Sequence, residues 1–183
     1  MVVINLPTPF ASLTRDCGLE RWNRSMSSPE QRLVDMGIQL PDPTLPKGVY
    51  RNVVVAETLA STSGHLPVGA DGSLVVGKVG VDLDVDAGYE AARLAGLAIL
   101  ASLRAELDSL DHVQRLIKVL GLVNCAEDFT AHPAVINGCS ELFRDVFGEE
   151  AGVGTRSAVG AASLPLGVAV EIEAVFEIDL QRP

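Results

Sequence analysis

Residues 154–178 read GTRSAVGAASLPLGVAVEIEAVFEI. Two short strand patterns lie here, joined by Ser163-Leu164-Pro165-Leu166-Gly167. The second alternates strictly. Val168, Val170, Ile172, Ala174, Phe176 and Ile178 point one way, and Ala169, Glu171, Glu173, Val175 and Glu177 the other. A period of two over this length predicts a strand with one buried face. The opposite face carries three carboxylates about 7 Å apart along the extended chain, which repel one another. Such a row is either well solvated or faces a cation, and Arg156 on the preceding strand is available for that role.

Upstream, Glu149 to Gly154 is a Gly-rich loop. It follows a helix pattern rather than a strand, so Gly152-Val153-Gly154 is not a dinucleotide or phosphate-loop fingerprint. That helix begins after Thr130 with Pro133 in its first turn. It puts Val135, Ile136, Cys139, Leu142, Phe143 and Val146 on one face. Gly148 ends it, a position suited to a left-handed cap. Ile117 to Asn124 is apolar on both faces and predicts a central strand, with His112 to Leu116 continuing helically ahead of it. The longest helix runs from an N-cap at Asp86 to Leu107, with Ala92, Ala95, Ile99 and Leu103 in a stripe small enough to lie close on a sheet.

Nearer the N-terminus, Tyr50 to Val55 and Thr58 to Ser63 predict two strands around Ala56-Glu57. Gly64-His65-Leu66-Pro67 ends the second, and His65 beside this turn reads as a surface residue. Ser73 to Val79 predicts an edge strand. Pro41, Pro43 and Pro46 stiffen a linker. Ser28-Pro29-Glu30 predicts the start of a short helix, capped by Ser28, that runs to Met36 and stops at Gly37. Residues 1–25 hold no sustained period. They read either as an extension ahead of a start at Met26 or as a flexible N-terminal arm.

The order strands, helix, strand, helix, strands predicts an α+β fold, a mixed β-sheet with two helices packed on one face. The other face keeps Val159 and Val175 among polar residues. An uncovered, partly apolar sheet face predicts an oligomer.

The chain has 183 residues, 48% hydrophobic and 4% aromatic, which suits one domain with a core of Val, Leu, Ile and Ala. No apolar run approaches the length of a bilayer span, so the chain reads as soluble. A net charge of -10 without a basic patch argues against nucleic acid as a partner. Cys17, Cys125 and Cys139 are odd in number, irregular in spacing and follow no secretory signal, which reads as reduced thiols in a cytoplasm. Cys125 and Cys139 read as buried packing residues. His65, His112 and His132 are scattered and give no metal-ligand spacing.

Arg156-Ser157 opening a strand, then Leu164-Pro165, then Val170-Glu171-Ile172-Glu173-Ala174, resembles the C-terminal signature of the Rid family. These are the reactive intermediate deaminases, also called YjgF-like or L-PSP endoribonuclease-like proteins. The resemblance covers Tyr50 to Ile178, with residues 48–180 as the family domain and 26–47 as a helix and Pro-rich linker ahead of it. It implies a chorismate-mutase-like fold and a homotrimer whose sheets form a central barrel, with ligand clefts between subunits.

Gly48-Val49-Tyr50 is similar to the family's Gly-Pro-Tyr, and Thr62-Ser63-Gly64 to its Thr-Ser-Gly. By this resemblance Tyr50 and Ser63 line the cleft. Asn137, ahead of Phe143, is similar to the family's helix asparagine. Thr155-Arg156-Ser157 is similar to its Ala-Arg-Ser, which makes Arg156 the carboxylate-binding arginine. Glu171 matches the first glutamate of its Glu-Ile-Glu and would orient water. Where the family has a cysteine two residues after the arginine, this chain has Ala158. Alternation puts Ala158 on the side of Arg156, so the site loses a thiol and gains space. The segment between Gly64 and Asp86 carries insertions relative to the family pattern.

The activity so implied is hydrolysis of small carboxylate-bearing imines or enamines, 2-imino acids going to 2-keto acids and ammonia, with no metal or organic cofactor. A guanidinium can hold the carboxylate through two parallel hydrogen bonds. The imine carbon is already electrophilic, so a positioned water suffices, and Glu171 could shuttle its protons. From the residues alone, Arg156 also reads as a structural ion-pair partner of Glu171 or Glu173, and Glu171 as a solvated strand carboxylate. Glu173 and Glu177 read as structural or exposed. Tyr50 also reads as a core or interface residue, and Ser63 and Asn137 as partners of backbone groups. The alternative function is a non-catalytic metabolite-binding trimer. Endoribonuclease activity and a chorismate rearrangement are weaker readings, the last resting on fold analogy alone.

Overall fold

A computed structural model describes residues 27–181, so the expectations for residues 1–25 lie outside the described residues. The first element among the described residues is helix α1 (Pro29–Asp35). Ser28 caps it as its sequence predicts, the hydroxyl accepting from the Gln31 N–H at 3.3 Å. Glu30 ties the helix to the body of the domain: its carboxylate accepts from the Leu110 N–H at 3.0 Å and meets Arg104 at 3.3 Å.

Strands β1 (Val53–Ala56) and β2 (Leu59–Thr62) form a hairpin, with Glu57 at φ 54° in its turn. Both are shorter than their sequence patterns, and Tyr50 stands outside β1. The expected edge strand over Ser73 to Val79 does not form. Gly72 and Gly77 at φ 80° and 126° break the extended chain, leaving isolated bridges of Val76 to Val168 and Val79 to Cys125.

Helix α2 (Val85–Leu107) starts two residues earlier than expected. Asp84 caps it, accepting from the Ala87 N–H at 2.8 Å, and Asp86 lies in the first turn, where a negative charge still complements the helix dipole. After a single 3-10 turn at Leu110–His112, strand β3 runs over Val113–Asn124. Val113 to Leu116 is therefore strand, not helix. Two irregularities in its pairing bring Val113, Leu116 and Val119 all to the buried side, which mimics a helical spacing. Helix α3 (His132–Phe147) follows and ends at Gly148, whose φ of 90° and ψ of 166° make an extended exit rather than a left-handed helical cap.

Strands β4 (Thr155–Ala161) and β5 (Val170–Ile178) complete a five-stranded mixed sheet in the order β1-β2-β5-β3-β4. β4 is parallel to β3, and the other pairs are antiparallel. β4 and β5 are consecutive in sequence but do not touch: β3 lies between them, interior as expected. Helix α2 covers β5 and the hairpin, and α3 covers β3 and β4. Both lie on one face. The alternate residues Val170, Ile172, Ala174, Phe176 and Ile178 are at most 2% exposed against them. Phe143, Phe147 and Phe176 form an aromatic cluster with ring centroids 5.5 to 6.2 Å apart. The two helices approach closely enough that a Cβ at Gly138 would overlap the Tyr89 carbonyl. No helix among the described residues is long and apolar enough to cross a membrane. Among the described residues no helix lies on the opposite sheet face, which presents Leu120, Leu122, Val159, Glu171, Glu173 and Val175.

Candidate functional site

Arg156 is the second residue of β4, at the sheet edge. In register it lies beside Val119, and Ala158 beside Gly121. Val119 and Gly121 face the helices, so Arg156 and Ala158 do too. The Arg156 Nη1 donates to Asn137 Oδ1 at 2.8 Å and to Ser140 Oγ at 3.1 Å. Asn137 and Ser140 are three residues apart on α3 and so share one helix face. These two bonds use both hydrogens of Nη1 and leave Nε and Nη2, the edge of the guanidinium that grips a carboxylate side-on. A cavity of about 430 Å³ opens here, lined by Leu116, Val119, Asn137, Ser140 and Arg156 among others. Ala158, two residues along β4 on the same side, is not among the residues that line it.

Glu171 lies beside Leu122 on β5, while its neighbour Ile172 lies beside Gly121. It therefore points away from the helices, onto the uncovered face. Its side chain folds across Gly64, where any Cβ would overlap the carboxylate. Gly64 is fixed there by its successor: the His65 N–H donates to the Ile172 carbonyl at 2.7 Å and the Ile172 N–H to the His65 carbonyl at 3.1 Å. Burial first, and the nearby Glu173 charge second, push the Glu171 pKa above the ordinary glutamate value. The Ser63 hydroxyl beside it is buried and has no partner among the described residues. Tyr50 is half-exposed, and its hydroxyl accepts from the Lys47 N–H at 3.3 Å. With Gly64 and His65 it lines a cavity of about 220 Å³.

His65 is not a surface residue. It is 4% exposed, and its ring is held at both ends. Nδ1–H donates to the Ser63 carbonyl at 2.8 Å, and Nε2 accepts from the Ser102 hydroxyl at 2.8 Å. Burial lowers its pKa, opposed in part by the Ser63 bond, so the neutral ring is favoured. The turn signal that placed His65 outside was real. The chain turns there beneath α2, not into solvent.

The pairing of Arg156 with the carboxylate row, one of the two readings the sequence left open, does not form within one chain. Arg156 and Glu171 are on opposite faces of the sheet with β3 between them. Glu177 instead meets Arg115 at 3.5 Å, an exposed pair of small energetic weight. Lys118 donates to the Ser157 hydroxyl at 2.8 Å, and Glu173 is exposed. The six residues singled out from the sequence thus fall into two groups. Arg156, Asn137 and Ala158 form one at the β4–α3 edge. Glu171, Ser63 and Tyr50 gather around Gly64. Three contributors were missed: Ser140, which its spacing from Asn137 could have given; Gly64 as the seat of Glu171; and His65, whose burial has no local signal. Among the described residues no group of three or more His, Cys, Asp or Glu is placed to hold a metal ion.

Comparison with known proteins agrees with this architecture. The family model described as "YjgF/chorismate_mutase-like, putative endoribonuclease" matches residues 30–176, which takes in α1 as well as the segment from Tyr50 onward. Protein TCP17 of Trypanosoma cruzi is 39% identical over 144 residues, 79% of this chain and 90% of that protein. The crystal structure of Atu1372 from Agrobacterium tumefaciens, a protein of unknown function, is 39% identical with a TM-score of 0.74, over 82% of this chain and 92% of that one. A "putative endoribonuclease" from Shewanella oneidensis is 30% identical with a TM-score of 0.79, over 83% of this chain and 100% of that one. E. coli TdcF, solved with bound serine, is 27% identical with a TM-score of 0.54, over 75% of this chain and 94% of that one. With the match spanning most of its length and the sheet and helices in place, the chain belongs to the YjgF/chorismate-mutase-like family, whose members include proteins described as endoribonucleases.

Proposed function

We propose that this protein hydrolyses small 2-imino or enamine acids to 2-keto acids and ammonia, in clefts between the subunits of a cytoplasmic homotrimer. The observation that carries the proposal is the division of the site. The Arg156 group faces the helix side of an edge strand, and the Glu171 group faces the uncovered side of the sheet. Neither is complete. If the uncovered face packs against a neighbour, the Glu171 group of one subunit meets the Arg156 group of the next. The serine found in E. coli TdcF, a small amine with a carboxylate, supports a ligand of that size and charge for a family member.

Each group then has one task. Arg156, fixed through Nη1 by Asn137 and Ser140, binds the substrate carboxylate through Nε and Nη2. Tyr50 and Ser63 close the pocket, the Ser63 hydroxyl, without a partner among the described residues, supplying one hydrogen bond. Glu171 takes a proton from water as the oxygen attacks the imine carbon. The C=N bond becomes a C–N single bond in a carbinolamine. Glu171 returns that proton to nitrogen, which gives the neutral carbinolamine; it then takes the hydroxyl proton and passes it to nitrogen as the C–N bond breaks, so the keto group forms and ammonia leaves. A carboxylate whose pKa is raised is better placed to exchange protons near neutrality than an ordinary one.

A trimer that binds such acids without turning them over is the second reading. Ala158 favours it, because it offers no thiol beside the guanidinium. The test is the decay of 2-iminopropionate generated in situ by an amino-acid oxidase. Acceleration by the wild-type protein, lost in Arg156→Ala, supports hydrolysis at this site. Binding of 2-keto acids without acceleration supports the second reading.

A further inference from the structure

A second cavity, of about 360 Å³, opens beyond the far end of β4, lined by Lys78, Cys125, Glu127, Phe129, His132 and Gly160. It shares no lining residue with the cavity at Arg156. Cys125 follows β3, and His132 opens α3. The Cys125 Sγ and His132 Nε2 are 3.3 Å apart, within hydrogen-bond reach for sulfur. Phe129 meets the imidazole edge-on, ring centroids 5.3 Å apart, which holds its orientation. Gly160 makes the pair possible: a Cβ there would lie 2.7 Å from the His132 Nε2 and 3.0 Å from the Cys125 Sγ. A packing thiol needs neither a base at its sulfur nor a cavity in front of it. Cys139, by contrast, is wholly buried with its Sγ against Gly96 of α2.

We propose that Cys125 and His132 form a nucleophile–base pair, a second reactive site that takes a small electrophile with a conjugated carbonyl. The His132 Nε2 receives the thiol proton as Sγ bonds to the β-carbon. The electrons of the C=C bond move toward the carbonyl oxygen, which the Lys78 ammonium can face as an enolate. The proton then passes from His132 to the α-carbon, giving a thioether with no oxidant or second reactant consumed. Burial raises the Cys125 pKa and the Lys78 charge lowers it only partly, so the resting group is a thiol. That is why a base is needed at the moment of attack. The apolar ring of Phe129 and the charges of Lys78 and Glu127 suit a ligand with one apolar and one polar end.

The test is the rate of N-ethylmaleimide addition to the folded full-length protein, read at each cysteine by peptide mass mapping. Cys125 should react while Cys139 does not. His132→Gln should slow Cys125 about 100-fold, the lower end of what a general base contributes. Gly160→Ala, which keeps both groups and separates them, should slow it likewise, and melting curves show whether each variant is folded. An unreactive Cys125 in the folded protein, or an unchanged rate in folded His132→Gln and Gly160→Ala, overturns the proposal. Imine hydrolysis does not enter this readout, so this proposal and the preceding one fail separately.

Discussion

Arg156 and Glu171 stand on opposite faces of one sheet, separated by β3. Within one subunit the guanidinium cannot reach that carboxylate across a packed strand. Each is instead prepared separately. Arg156 is held by two hydrogen bonds to α3, and Glu171 is laid over a glycine and partly withdrawn from water.

The Arg156 bonds set how carboxylates are gripped. Arg156→Ala removes a charge-assisted interaction of about 1.5–3 kcal/mol, so kcat/KM for an imino acid should fall about 10- to 150-fold. Asn137→Ala with Ser140→Ala keeps the charge but frees the side chain. KM should rise about tenfold with a smaller change in kcat, because the grip is made in the ground state as well. Steady-state kinetics of the variants separate the two effects.

Gly64→Ala places a methyl group where the Glu171 carboxylate lies. The long side chain must swing away from its seat. Turnover should fall nearly as far as in Glu171→Gln, about 100-fold for a lost proton shuttle, while keto-acid binding at Arg156 persists. A binding titration alongside the rate assay checks both parts.

The raised Glu171 pKa fixes the sign of its pH effects. Activity needs the carboxylate, so the acid limb of kcat/KM should lie above the ordinary glutamate value. For stability, the folded state binds the proton more tightly than the unfolded state. This contribution is fully present below the unfolded pKa and is lost as pH rises through the folded pKa. Glu171→Gln should therefore raise the Tm at pH 7 relative to wild type, with the difference shrinking toward pH 4. An equal or lower Tm at pH 7 would contradict the burial of the charge.

Much of this was legible in the sequence. The alternation over residues 168–178 gave β5 and its apolar face, and Ser28-Pro29 gave α1. Parity along β4 correctly put Ala158 beside Arg156. What alternation does not contain is strand order. Arg156, on the strand that precedes the glutamates, was available as their cationic partner, but β3 inserts between the two strands and fixes the two faces independently. Nor does periodicity survive irregular pairing, which made Val113 to Leu116 look helical. His65 is buried by contacts distant in sequence, Ser102 and Ile172, that no local pattern records.

His65 gives an independent stability test. Its pKa is lowered on folding, so between the folded pKa and the ordinary histidine value near 6.5 the unfolded state binds more protons. The protein should lose stability as pH falls through that window, and the loss should level off once the folded pKa is passed. Ser102→Ala leaves the buried Nε2 without its donor and should cost about 1–3 kcal/mol at pH 7.5. Denaturant unfolding across pH checks the slope and the offset together.

The division of the site between subunits is tested most directly by mixing two impaired variants. Arg156→Ala and Glu171→Gln are each assayed alone for imine hydrolysis, then unfolded together in equal amounts, refolded and assayed again. If each cleft takes Arg156 from one chain and Glu171 from its neighbour, random assembly restores about a quarter of the clefts, and about a quarter of wild-type activity should return. A mixture no more active than the two variants measured separately would contradict the shared cleft.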